Sequence, residues 1–360
     1  MKKSKKAAVI TGVSCIAVGL IATLASLVWI DFDFTKLNTT TFETTSYEIQ
    51  ENFQNIDIRD LECNIRLVPA EDDVCRVVCA ETDRITNTVE VIEDTLTITR
   101  TDRRRWYERI QIWRGNDLAV TVYLPEKTYQ SLYLKTVSGH IEVPDTFSFS
   151  DVELLSTSGD ISFAAGSSKG LLIQSTSGHI RAQNAAGGPV EAVTTSGDIV
   201  LSDITADTLH VKTTSGHIRV ENITAGSAQA VTTSGDVLLS EATADSVQTK
   251  TTSGHTILSD LTVDTLQAKT TSGDIRLSSA IISGHADLQA VSGHIQLKDS
   301  DAGSFAIQTV SGDVTGTILS PKNFATAAAS GDMQIPSSDT SAGNCSITTT
   351  SGHIRIDIPA

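Results

Sequence analysis

The sequence predicts an all-β protein: a parallel β-solenoid (β-helix) of about 12 coils with a 19-residue period, preceded by one transmembrane helix. Three observations predict it. From residue 138 onward a Ser-Gly-Asp or Ser-Gly-His triplet recurs, with glycines at Gly139, Gly159, Gly178, Gly197, Gly216, Gly235, Gly254, Gly273, Gly293, Gly312, Gly331 and Gly352. Around each glycine, apolar and polar residues alternate with period two. One uncharged run, Ala7 to Ile30, follows a lysine-rich start.

Residues 1–6 carry four lysines and read as a cytoplasmic tail, and residues 7–30 read as the anchor. The 24-residue apolar run exceeds the roughly 20 residues a helix needs to cross a bilayer. A cleaved signal would have a shorter apolar core and a small-x-small site. Here the run closes on Trp29, placed as an interfacial residue. Lysines before the helix and Asp31 and Asp33 after it put the N-terminus in the cytoplasm and the rest outside, as a single-pass cell-membrane protein. Cys15 lies within the run, with no leucine in the preceding Gly12-Val13-Ser14, and reads as a membrane-buried thiol rather than a lipidation site.

Residues 31–50 are Thr-rich and short of core residues, which suggests a stalk. Residues 51–135 alternate in Ile56-Asp57-Ile58, Cys63-Asn64-Ile65-Arg66-Leu67, Leu96-Thr97-Ile98 and Val120-Thr121-Val122. They read as less regular coils that cap the solenoid at its membrane end. All three Trp and all five Tyr lie before residue 136.

Residues 136–360 are the repeat domain. In the coil Leu209–Ser227, Leu209, Val211 and Thr213 alternate with His210, Lys212 and Thr214, and Ile218 and Val220 follow the glycine in the same way. This pattern predicts two short strands joined at a tight corner, with glycine there to accept positive φ. A second corner is expected at Thr224-Ala225-Gly226-Ser227. Stacking places Val190, Leu209, Ala228, Val247 and Leu266 in one inward column, and Ile199, Ile218, Val237, Thr256 and Ile275 in another. Coils about 4.8 Å apart would make a rod. The residue after the glycine alternates His and Asp, so the duplicated unit is a two-coil block of 38 residues.

The net charge is −16, and beyond residue 30 there are 23 basic against 43 acidic residues, a net of −20. Such a surface repels nucleic acid and excludes it as a partner. Of the five cysteines, Cys63 could pair with Cys75 or Cys79 in an oxidising compartment, or all three could be small core residues; both readings stay open. No cysteine or histidine spacing fits zinc.

The Lys-rich start with one anchor helix, Asp73-Val74, Thr95-Leu96-Thr97-Ile98, Tyr123-Leu124-Pro125 and the serial Ser-Gly-Asp-Ile units resemble one bacterial family. It is a family of β-strand repeat proteins that carries a provisional adhesin label and is otherwise a domain of unknown function. The resemblance covers about residues 48–358. It implies the architecture and carries no catalytic residues over. This chain departs from the family by placing His where Asp is expected in half of its coils.

Two constellations stand out. The first is a turn ladder of His140, Asp160, His179, Asp198, His217, Asp236, His255, Asp274, His294 and Asp313. It is expected to be structural, because alternation with His replaces the repulsion of stacked carboxylates. A His between carboxylates is expected to be held in its charged form. One side chain per coil does not converge on a metal, so neither metal nor cofactor is expected. The second is a basic-aromatic patch, Arg100, Arg103, Arg104, Arg105, Trp106, Arg109, Trp113 and Arg114. It could meet an anionic wall polymer or lipid head groups, or be a solvated hairpin whose Arg stems cover the Trp rings.

An enzyme is not expected. Any Ser–Asp or Ser–His pair recurs in coil after coil, whereas a catalytic site needs one asymmetric pocket. A β-helix carbohydrate-active enzyme is disfavoured further by the lack of Trp and Tyr in the solenoid. The reading is a non-catalytic surface scaffold with an unknown protein or cell-wall partner. An envelope-stress or signalling accessory acting through a membrane partner is the alternative.

Overall fold

A computed structural model describes residues 2–29, 42–105 and 119–359. A helix, Lys2–Trp29, precedes the β-structure. Among the described residues no helix is long and apolar enough to cross a membrane. The side chains described on this helix are those of 12, 14–25, 28 and 29, so the span expected over 7–30 rests on the sequence run alone.

Beyond the helix, the strands among the described residues form one sheet wound into a parallel β-solenoid of about twelve turns. Within a coil the chain forms three strand segments rather than the two expected. Between neighbouring coils Ile199–Ser202 pairs with Ile218–Glu221, Ile204–Ala206 with Ile223–Ala225, and Thr208–Lys212 with Ser227–Val231. The expected corner near Gly226 is present, and a further one falls four residues earlier. There Asn184, Asp203, Asn222, Glu241, Asp260, Ser279 and Asp299 take left-handed φ values of 49–63°. Asn and Asp tolerate that conformation because a short polar side chain can hydrogen-bond locally.

The glycine column has a different cause from the one expected. Only Gly273 and Gly331 of the triplet glycines have clearly positive φ. What excludes a side chain is the neighbouring coil: a Cβ on Gly197 would lie 2.0 Å from the carbonyl oxygen of Gly178, and one on Gly216 would lie 2.0 Å from that of Gly197. Three residues before most of these glycines a buried Thr or Ser seals the corner, with Ala290 and Ala328 in its place before Gly293 and Gly331. Thr194, Thr213, Thr232, Thr251 and Thr270 donate Oγ1 hydrogen bonds to Gly178, Gly197, Gly216, Gly235 and Gly254 carbonyls at 2.9–3.1 Å.

Both predicted inward columns are buried along their whole length. Towards the N-terminal end the core is larger, with Phe53, Tyr129 and Phe149 stacked at ring-centroid distances of 6.0 and 5.7 Å. The end itself is closed by chain reversal. Asn55–Arg59 lies between Thr95–Thr99 and Ser131–Lys135. Cys75–Glu81 then pairs antiparallel with Ala119–Leu124, and Ile85–Ile92 pairs antiparallel with Thr95–Asp102. The stretch expected to be a stalk also contributes a strand: Glu43–Ile49 pairs antiparallel with Cys75–Glu81.

At the C-terminal end the stack does not follow the chain. Phe305–Ser311 pairs with Cys345–Ser351, which in turn pairs with Phe324–Ser330. Val314 likewise pairs with Ile354, and Ile354 with Met333. The last coil is therefore inserted between the two coils that precede it in sequence, and residues 323–334 form the outermost layer.

Candidate functional site

The ladder runs down the glycine corner as a continuous chain of backbone-to-side-chain hydrogen bonds. Asp198 donates its backbone N–H to His179 Nδ1 at 3.1 Å, and His217 donates its N–H to Asp198 Oδ1 at 2.8 Å. Asp236 then donates to His217 Nδ1 at 3.1 Å, and His255 to Asp236 Oδ1 at 2.7 Å. The same pattern joins His140, Asp160 and His179, and continues through Asp274, His294 and Asp313. Sequence reasoning missed the head of the ladder, Asn64, whose Oδ1 accepts the N–H of His140 at 2.8 Å.

This geometry corrects the expected charge state. A nitrogen that accepts a backbone N–H carries no proton, so the ladder uses each His as a neutral acceptor at Nδ1 with its proton on Nε2. The neighbouring carboxylate is more distant, with His Nδ1 and Asp Oδ2 3.5–3.7 Å apart in His140–Asp160, His179–Asp198, His217–Asp236, His255–Asp274 and His294–Asp313. Among the described residues no group of three or more His, Cys, Asp or Glu side chains could hold a metal ion.

The inserted last coil extends the ladder. In chain order the residues after glycine read Asp313, Asp332, His353, which breaks the alternation. In space His353 sits between them: its N–H donates to Asp313 Oδ1 at 2.7 Å, and its Nδ1 accepts from Asp332 at 3.0 Å. His/Asp alternation is thus unbroken from His140 to Asp332.

The second constellation divides. Arg100 is not presented to a partner: its side chain is 2% exposed, 3.4 Å from Asp60 and in contact with the Cys63 thiol. Burial alone would lower its guanidinium, but Asp60 and Cys63 more than offset this and hold it raised. Arg104 is buried too, held by Asp102 at 2.8 Å and Glu62 at 3.0 Å. Both are structural ion-pairing residues. Arg103 and Arg105 are exposed. Trp106, Arg109, Trp113 and Arg114 lie outside the described residues.

A family model matches this chain over residues 53–255 and again over 189–315, together more than half its length. The chain belongs to the Toastrack DUF4097 family. Three solved structures are similar to this Toastrack protein. A provisionally named lipid-binding protein from Parabacteroides distasonis is 16% identical, covers 76% of this chain and 94% of its own, and superposes with a TM-score of 0.34. A provisionally named adhesin from Bacteroides fragilis is 14% identical over 89% of this chain and 98% of its own, at a TM-score of 0.26. A provisionally named cell-adhesion protein from Clostridium sporogenes is 7% identical over 89% and 100%, at 0.17. No curated protein sequence matches the chain.

The Toastrack cysteines resolve towards the core reading. Cys63, Cys75, Cys79 and Cys345 are free and buried. Burial pushes each of these thiols up to about 12, so none offers a nucleophilic thiolate at neutral pH.

Proposed function

We propose that this Toastrack chain is a non-catalytic, membrane-anchored cell-surface scaffold, with a short N-terminal tail in the cytoplasm and the solenoid outside. The observation that carries the reading is the N-terminal helix. Its described apolar side chains Ile16, Val18, Leu20, Ile21, Leu24, Val28 and Trp29 are all exposed. The sequence from Ala7 to Ile30 holds no charge. A helix that is apolar all round is stable only where something apolar surrounds it, and a run of this length suits a bilayer.

The solenoid supports an interaction role over catalysis. Its exposed residues repeat from coil to coil in register, which suits contact with an extended protein or wall polymer. Its corner Thr hydroxyls, such as that of Thr213, and its ladder carboxylates are committed to neighbouring coils. Protease added to intact, wall-stripped cells should remove the solenoid and leave a small anchored fragment. Quantitative release of the ectodomain into the medium, with a new N-terminus near residue 26, would overturn the anchored reading.

A further inference from the structure

Among the first regular coils the outer surface is irregular. Between the first regular coils lies an open groove of about 340 Å³, lined among others by Tyr133, Asp151, Glu153, Gly170, Leu172 and Glu191. Its cause is a register shift: between Phe149 and Asp151 the pairing with Ser167–Gly170 slips, so the next coil carries an extra residue at this corner. Gly170 falls opposite Asp151, where other coils have a side chain, and Pro189 follows on the far side. Gly170 leaves no side chain at this point, and the apolar part of the outward lining comes from Leu172, Tyr133 and Pro189, while Val152 and Leu171 lie beneath in the buried inward column.

The rim selects the occupant. Tyr133, Glu153, Leu172 and Glu191 stand in one outward column, one per coil, because each is the register partner of the next. Asp151 flanks the same notch from the neighbouring column. Among the described residues, the side chains of Asp151, Glu153 and Glu191 make no hydrogen bond or ion pair, so three carboxylates border the groove without a cation. They do not converge closely enough to form a metal site. The same face already holds one guanidinium: Arg59 lies 4.9 Å from the centroid of the Tyr133 ring and is held by both carboxylate oxygens of Asp57 at 2.8 and 2.7 Å. An aromatic ring beside carboxylates is a setting in which an Arg side chain is stabilised by both ring and charge.

We infer that this groove binds a basic amphipathic peptide segment of a partner protein, with Arg or Lys side chains against Asp151, Glu153 and Glu191 and an apolar side chain over Gly170 and Leu172. The inference rests on this face alone and is independent of how the chain is held at the membrane.

Two variants separate a built groove from the general acidity of the rod. Asp151→Asn/Glu153→Gln/Glu191→Gln removes the charge and keeps the shape. Gly170→Leu keeps the charge and fills the groove; a Cβ there meets nothing closer than 3.7 Å, so the fold accommodates it. The full-length chain in neutral detergent micelles is titrated by fluorescence anisotropy with a fluorescein-labelled peptide Arg-Leu-Arg-Trp-Leu-Arg, and with a control in which Glu replaces each Arg. Circular dichroism melts confirm that both variants fold. The expected result is saturable binding of the basic peptide alone, weakened at least tenfold in each variant. Three outcomes would overturn the inference. They are no binding to the wild type at millimolar peptide, equal binding of the acidic control, or binding within twofold of wild type by either variant.

Discussion

At the scale of single residues, the ladder assigns a protonation pattern that can be observed directly. Because Nδ1 of His179, His217 and His255 each accepts a backbone N–H, nitrogen-resolved NMR at neutral pH should find all three rings with the proton on Nε2. A proton on Nδ1 would contradict the ladder. Asn64 shows which substitution preserves it, since an amide oxygen fills the same acceptor role. His217→Asn should melt close to wild type, whereas His217→Ala loses one inter-coil bond and should cost about 1 kcal/mol. A second residue-scale effect lies in the core. Thr256 is fully buried in a column of Ile and Val, and its hydroxyl finds no partner. Thr256→Val keeps the shape and removes an unsatisfied polar atom, so urea unfolding should show a gain of about 1 kcal/mol. A third concerns acid. Despite burial, Glu81 is held below its ordinary carboxylate value by hydrogen bonds from Asn87 and Tyr47. A depressed carboxylate contributes stability above its unfolded value of about 4.3 and loses it as pH falls through the folded one. Glu81→Gln should therefore be less stable at neutral pH and lose less between pH 5 and pH 3, as read by melting at each pH.

At the scale of the coil, the repeat was legible because its constraints are absolute and local. A Cβ 2.0 Å from a backbone oxygen cannot be accommodated, so Gly216 and its equivalents survive in every copy and mark the period. The inward columns followed from period two alone. The third strand segment did not, because its corner residues Asn222 and Asp203 look like ordinary polar strand positions until their φ is known. The acceptor role of His was hidden for a related reason: a tautomer is set by a partner one coil away, which no local pattern displays. Arg100 and Arg104 were misread because a run of charges looks the same whether it meets water or buried Asp60 and Asp102. Coil modularity predicts the effect of deletion. Removing residues 198–235 joins Gly197 to Asp236, keeps the His/Asp alternation, and should leave a folded, shorter rod by circular dichroism. Loss of the β signal would mean that the coils are not independent stacking units.

At the scale of the molecule, what the sequence concealed is the order of the final coils. Nothing between Leu319 and Gly343 announces that Asn344–Asp357 will turn back beneath the preceding coil; the only trace is the pair of consecutive Asp triplets at Asp313 and Asp332. Insertion of His353 between them turns two adjacent carboxylates into one more ladder step. It also leaves residues 323–334 outermost, with Met333 and Ile335 exposed where inner coils bury their equivalents. Both ends of the rod therefore close by reversal of the chain. The position of the last coil tests the ladder-directed stack most directly. Thr315, Arg355 and Gln334 stand in one outward column in that spatial order. Adjacent coils lie about 4.8 Å apart, within disulfide reach, and coils two apart lie about 9.6 Å away, beyond it. Under mild oxidation, Thr315→Cys with Arg355→Cys should form a disulfide detected by peptide mass mapping, and Thr315→Cys with Gln334→Cys should not. Cross-linking of the second pair and not the first would place the coils in chain order and contradict the stack.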